Sequence, residues 1–350
     1  MNKTKHHILQ LNFEKTWRGG ERQTLYNMLG FKNEDCYVEL LCRKNYPLET
    51  EARKQNFTTH AFSSALSIIW FLITKGKNYD VLHAQTSHIL TYCILTKPFH
   101  TAQVLFSKRV DFVPKGFLTK LKYKLTTHVT VISPAIKTIF NSFGINHVHV
   151  VSDIVEPQKL NKQRVLAVLK NNNIPQDKKI IGSLAAFVPH KDPHTLIEAI
   201  KILSEKRSDF IFLHFGEGEL KQAIQQKINK YHLQNRYYLM GFHQQAEDFF
   251  SVLDGFVMSS QEEGLGSSVL DAFLYEVPVA STNAGGLKTL VDNNRGAVCN
   301  IHSPNELADC IETIINRTTE TEQRIKNAKQ YALNFHSMKF ITNQYLQILK

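Results

Sequence analysis

Residues 241–290 read GFHQQAEDFFSVLDGFVMSSQEEGLGSSVLDAFLYEVPVASTNAGGLKTL. The apolar run Gly255–Met258 predicts a buried strand, and residues 259–264 predict the turn that leaves it. From Ser267 onward, Val269, Leu270, Phe273 and Leu274 recur at helical spacing, so a helix begins there. The connecting stretch Gly264-Leu265-Gly266-Ser267-Ser268 carries two glycines that let backbone come close to a ligand. A helix start presents unpaired N–H groups and about half a positive charge, which together favour a phosphate. Glu263 stands just before that point, and Asp271 stands about one helical turn past it. Carboxylates so placed accept hydrogen bonds from sugar hydroxyls. One strand, loop and helix are thereby suited to a ligand that carries both phosphate and hydroxyl groups.

Outward from this unit, short β-rich runs alternate with helical patterns along almost the whole chain. Strands are predicted over 8–13, 36–42, 81–85, 103–107, 129–133 and 148–152, then over 180–187, 210–216, 237–241, 255–259, 278–281 and 297–299. Such alternation specifies an α/β protein with doubly wound parallel sheets. Two sheets fit twelve strands better than one, and the polar stretch 156–179, with two prolines, marks the break. The expected domains are residues 1–155 and 156–336, followed by a terminal helical segment, 337–350. In sheets of this kind ligands sit at the carboxyl ends of the strands.

Glu263, seven intervening residues, Asp271 and the later pair Gly285-Gly286 form a pattern that resembles the donor site of retaining glycosyltransferases of family 4. The resemblance implies the GT-B fold, two Rossmann-like domains facing each other across a cleft, with the terminal helix crossing back onto the first domain. It implies that Glu263 contacts the transferred sugar and Asp271 the ribose, although the second acid is usually Glu and Asp is one methylene shorter. Trp17-Arg18-Gly19-Gly20-Glu21 opens a helix after the first strand and is similar to the family's GGxE-type element, which places Gly19 and Gly20 on the diphosphate side of the donor. Lys191 matches a family lysine on the diphosphate, whereas Ala186 stands where an Arg is usual. Gly241 and Phe242 end a strand where family members recognise the base through backbone groups. The implied reaction retains anomeric configuration and needs neither a cofactor nor a metal ion.

Other segments admit two readings each. Arg109, at the end of a strand in the run Lys108-Arg109-Val110-Asp111, meets donor phosphates or an anionic acceptor, or else pairs with Asp111 to hold a loop. His83 contacts acceptor or sugar, or is a core histidine. Residues 216–219, GEGE, lack the third glycine of a dinucleotide fingerprint and carry acids that repel phosphate, so they read as a turn. His147 and His149 share one side of a strand but lack a third metal ligand. Residues 112–125 form a basic amphipathic segment, with Lys115, Lys120, Lys122 and Lys124 beside Phe117, Leu118, Leu121 and Leu125. Its apolar stripe belongs either in the core or in a membrane interface.

Charge sharpens that last question. Residues 1–155 carry 20 Lys/Arg against 10 Asp/Glu, and residues 156–350 carry 22 against 21, so almost all of the net +11 sits in the first half. A basic domain favours an anionic partner, and here an anionic membrane surface or a lipid-linked glycan acceptor is expected. Nucleic acid is not, because no basic–aromatic strand pattern appears. Five scattered cysteines without a CxxC, no apolar run near 20 residues and no leader-like opening predict a cytoplasmic protein, either free or peripheral on the inner face of the cytoplasmic membrane. Taken together, the readings predict a nucleotide-sugar-dependent glycosyltransferase working on an envelope polysaccharide or lipopolysaccharide precursor. A sugar-nucleotide epimerase or hydrolase of the same fold, or a non-catalytic basic binding protein, remain the alternatives.

Overall fold

A computed structural model describes residues 6–350. Its strands are β1 (His7–Asn12), β2 (Tyr37–Arg43), β3 (Thr58–Phe62), β4 (Val81–Ala84), β5 (Gln103–Lys108), β6 (His128–Val131), β7 (Val148–Val150), β8 (Lys179–Leu184), β9 (Phe210–Phe215), β10 (Tyr237–Gly241), β11 (Gly255–Met258), β12 (Val279–Thr282) and β13 (Ala297–Cys299). They form two sheets, ordered β3-β2-β1-β4-β5-β6-β7 and β10-β9-β8-β11-β12-β13, with every pair parallel. This is the expected α/β architecture of two Rossmann-like sheets. β3 is an addition: TTHAF is a half-exposed edge strand without an apolar run, so periodicity does not reveal it. β8 ends at Leu184 rather than at 187, because the chain turns there into the loop that carries Ala185–Phe187.

The chain divides into two compact units. One runs to Ile154 and takes in His336–Lys350; the other is Val155–Phe335. In the first, β1 to β3 step one way across the sheet and β3 to β7 step the other way. Right-handed crossovers therefore place helices Gly19–Asn33 and Pro47–Lys54 on one face, and Ala65–Lys75, Ser87–Leu95, Phe117–Leu125 and Pro134–Ser142 on the opposite face. Ile8, Leu40, Val81, Leu105 and Val129 are fully buried between these layers. The closing helix, Met338–Ile348, lies beside Gly19–Asn33 and buries Ile341 and Tyr345 against Ile8 and Phe31. Gly30 makes the close crossing possible, since a Cβ there would collide with Thr342.

In the second unit the strands of the central sheet are almost wholly apolar, as a sheet covered on both faces requires. Helices Pro193–Lys206 and Pro304–Ile315 bury Leu196, Ile200, Leu307 and Ile311 against β9, β11 and β12. Among the described residues no helix is long and apolar enough to cross a membrane.

Candidate active site

The carboxyl ends of β8 and β11 are neighbours because these strands pair directly. After β8 the chain makes a tight turn, Pro189–Lys191, and Asp192 enters the left-handed region at φ 44°. That conformation is tolerated because the Asp192 carboxylate caps the next helix, accepting from Thr195 N at 3.1 Å and Thr195 Oγ1 at 2.6 Å. His302 Nδ1 donates to the same carboxylate at 2.9 Å. After β11, the loop from Ser259 lies against this turn. Gln261 N and Glu262 N donate to His190 O at 2.9 and 3.2 Å, and Ser259 Oγ donates to Lys191 O at 2.9 Å. The two loops are thus tied main chain to main chain before any side chain of the site is placed.

This stitching brings Lys191 and Glu263 together as an ion pair, Lys191 Nζ donating to Glu263 Oε2, with both side chains largely buried. Ser260 Oγ donates to the same oxygen at 3.3 Å. The sequence places Lys191 and Glu263 at equivalent strand ends; their direct pairing, and that of His302 with Asp192, carry no linear signal because the partners are 72 and 110 residues apart.

Beyond Glu263 the backbone is fixed by glycines in a way the sequence reading only half anticipates. Gly286 N donates to Glu263 O at 2.8 Å. A Cβ on Gly286 would lie 2.7 Å from Leu265 Cα, and one on Gly285 (φ 45°) would collide with Glu263 O. The Gly285-Gly286 pair therefore lets helix Gly285–Val291 abut the loop that carries Glu263, Gly264 and Leu265. Gly266, at φ 95°, is the N-cap of helix Ser267–Leu274 and has no side chain to offer the first turn. Ser268 Oγ anchors that turn to Leu184 O at 3.4 Å. Ser267 is half-buried beside it, and Asp271 is buried on the second turn of the helix.

Residues 216–219 have a similar supporting role. Ala185 N and Phe187 N donate to Phe215 O and Glu217 O, and Cβ atoms on Gly216 or Gly218 would collide with the 185–187 backbone. Gly216 N in turn donates to Gly241 O at 3.0 Å. Gly241, at φ 70°, sits where the β9–β10 register shifts, and Phe242 after it is 60% exposed.

In the first unit, helix Gly19–Asn33 starts at Gly19, and Glu21 closes its first turn by accepting from Arg18 N at 2.8 Å. Burial raises the Glu21 carboxyl above its ordinary range. Nothing lies within 4 Å of where a Cβ on Gly19 or Gly20 would stand, so packing does not require either glycine.

His83 is fully buried, in the environment of a core histidine. Gln10 Nε2 donates to His83 Nδ1 at 3.0 Å, which leaves Nε2–H to donate to Ser107 Oγ at 2.8 Å. Ser107 then donates to Thr130 Oγ1 (2.8 Å), Thr130 donates to Phe106 O (3.1 Å), and Tyr345 OH donates to Ser107 (3.0 Å). Burial, with the Arg109 charge nearby, pushes the imidazole down to about 3, so it is neutral. Arg109 pairs with Asp153 rather than Asp111, and its Nη2 donates to Gln85 Oε1 at 3.3 Å. Among the described residues, no group of three or more His, Cys, Asp or Glu is placed to hold a metal ion.

Two parallel Rossmann-like sheets, one with tied loops at the carboxyl ends of adjacent central strands, define the architecture of GT-B glycosyltransferases. Residues 167–331 match the family model described as glycosyl transferases group 1. The chain is 25% identical over 215 residues to the poly(ribitol-phosphate) alpha-N-acetylglucosaminyltransferase of Staphylococcus aureus, covering 60% of this chain and 41% of the relative. It is 28% identical over 188 residues to the lipopolysaccharide core biosynthesis glycosyltransferase LpsE of Rhizobium meliloti, covering 53% and 54%. It thus spans about half the length of the curated relatives it matches. In fold it is similar to Anabaena HepE, solved in complex with UDP and glucose, at TM-score 0.85 and 18% identity over 98% of this chain and 99% of that one.

Proposed function

We propose that this chain is a retaining glycosyltransferase that moves a sugar from a nucleotide-sugar donor to a hydroxyl of a glycan acceptor. The observation that carries the reading is the Lys191–Glu263 pair, held by tied loops beside the start of helix Ser267–Leu274. In transfer, the bond between the sugar's C1 and the diphosphate oxygen breaks, and its electron pair leaves with the phosphate. The acceptor oxygen bonds to C1 and passes its proton to the departing diphosphate oxygen. Negative charge grows on the leaving diphosphate, where Lys191 and the N–H groups of Gly266, Ser267 and Ser268 stabilise it. Lys191 exchanges Glu263 for phosphate, which frees Glu263 to orient the sugar. Gly264 and Leu265 line the approach, Asp271 takes the ribose, and Gly241 and Phe242 take the base. Gly19 and Gly20 keep the diphosphate role and Arg109 the acceptor role that the sequence resemblance implies, and no metal ion is expected to take part.

The relatives' names, one on poly(ribitol-phosphate) and one on lipopolysaccharide core, support an acceptor of the envelope class; we take it to be a lipid-linked precursor met at the cytoplasmic face of a membrane. The HepE complex makes UDP-sugars the first donors to try. A thermal-shift screen of UDP-, GDP- and ADP-sugars identifies the donor, and turnover is then followed as released nucleoside diphosphate. Lys191→Ala and Glu263→Ala are each expected to lower turnover about 100-fold or more, with the donor consumed only when acceptor is present. Turnover within about threefold of wild type in either variant, on a scale where one positioned donor is worth 10²–10³, refutes the assigned roles.

A further inference from the structure

The basic amphipathic segment is placed by the structure in a way that decides between its two readings. Helix Phe117–Leu125 is fastened to the first unit by few groups. Tyr123 is buried and stacks on Phe106 at 5.6 Å, Lys122 Nζ donates to Ser87 O and Oγ, and Lys97 Nζ caps Leu125 O at 2.7 Å. Its apolar stripe is not in the core. Phe117 and Leu118 are 77% and 78% exposed, and Leu121 and Leu125 are exposed on the same side.

The neighbouring helices continue this surface. Helices Ala65–Lys75, Ser87–Leu95 and Phe117–Leu125 lie side by side on one face of the first sheet, and Leu66, Trp70, Leu95 and Phe99 are all more than half exposed there. Of 18 large hydrophobic side chains exposed among the described residues, 11 fall between positions 66 and 125, a concentration far beyond the scattered apolar residues of an ordinary surface. The same stretch holds nine Lys/Arg and only two acids, Asp80 and Asp111. Asp80 is engaged with His7 N at 2.7 Å. Lys75, Lys77, Lys97, Lys115 and Lys124 stand exposed around the apolar side chains.

We propose that this three-helix face docks the protein on an anionic lipid bilayer, with Phe117, Leu118 and Trp70 entering the interface and the lysines meeting lipid phosphates. Charge selects this occupant over a second copy of the chain. A twofold contact would set the same lysines against each other with almost no acid to receive them. The inference deepens the reading of a lipid-linked acceptor and takes its biological use from that reading, but its test does not require turnover.

Full-length protein is sedimented with vesicles of phosphatidylcholine alone and of phosphatidylcholine with phosphatidylglycerol, while Trp70 emission is followed. Binding to the anionic vesicles with a blue shift that Trp70→Phe removes is expected. Phe117→Asp with Leu118→Asp should weaken partitioning about tenfold or more, and Lys115→Gln and Lys124→Gln about fivefold each. Far-UV circular dichroism should stay unchanged, because these side chains are exposed. Failure of the wild-type chain to bind anionic vesicles overturns the proposal. So does undiminished binding by the Phe117/Leu118 variant, or a dimer in light scattering that the same variant dissolves. Donor binding in the thermal-shift screen is unaffected by any of these outcomes, so loss of the docking face leaves the transferase reading standing.

Discussion

Gly286→Ala is the sharpest single test of how the site is held. A Cβ at this position would stand 2.7 Å from Leu265 Cα, whereas unstrained carbon atoms approach to about 3.5 Å. It would also stand 2.3 Å from Gly264 O, and both contacting groups are backbone, so no side chain can swing aside. The loop from Glu263 to Leu265 must retreat by about 0.8 Å, the difference between those distances. The retreat also pulls Glu263 O from Gly286 N, now 2.8 Å away. Misplacing a reacting group by about 1 Å costs on the order of 100-fold in rate, and overpacking costs about 1–3 kcal/mol of stability. We therefore expect kcat/KM for the identified donor to fall by one to two orders of magnitude while the variant still folds, shown by its retained circular dichroism. Gly19→Ala is the paired measurement. Its Cβ meets nothing within 4 Å, so its melting temperature should not move, and any loss of donor affinity reports a ligand in that space. A Gly286→Ala enzyme with wild-type kcat/KM and melting temperature would refute the claim that this glycine sets the position of Glu263.

Two further outcomes concern the first unit. His83 is held neutral near pKa 3, against 6.5 when unfolded. Below pH 6.5 the unfolded chain therefore binds a proton that the folded chain does not, and stability is lost as pH falls toward 3, by about 1.4 kcal/mol per pH unit. Urea unfolding of wild type and His83→Gln at pH 7 and pH 5 should show the gap between them narrowing by about 2 kcal/mol at the lower pH; a constant gap contradicts the buried neutral imidazole. Tyr345→Phe removes the hydroxyl donor to Ser107, 3.0 Å away, and should cost about 1 kcal/mol in the same assay without altering donor affinity.

Much of this molecule is legible in its sequence because the central strands are largely apolar runs and several are followed by a helix that starts at a glycine or proline. β10 and β13 fall where periodicity predicts, and most others differ by one to three residues. The miss at β3 has a physical reason: an edge strand that is half exposed on both faces has no pattern to show. At the site, Glu263, Lys191 and the loop glycines stand out because their chemistry is local. What the sequence hides is the work done by main chain, as when His190 O receives two amides from the opposite loop. It also hides which of two environments a residue meets. His83 and Phe117 each carry two readings in one dimension; burial resolves the first as core and exposure resolves the second as surface.

The placement of helix Met338–Ile348 has a consequence for biogenesis. Tyr345 completes a hydrogen-bond chain whose other members, Gln10 to Thr130, all precede residue 154. At translation rates of about 5–20 residues per second, the stretch between 154 and 345 takes roughly 10–40 s to emerge. Throughout that interval the unit that runs to Ile154 lacks its closing helix, whereas the contiguous 155–335 segment needs no residue beyond its own end. The unit that precedes residue 155 is therefore completed only after the whole of the 155–335 unit has been made.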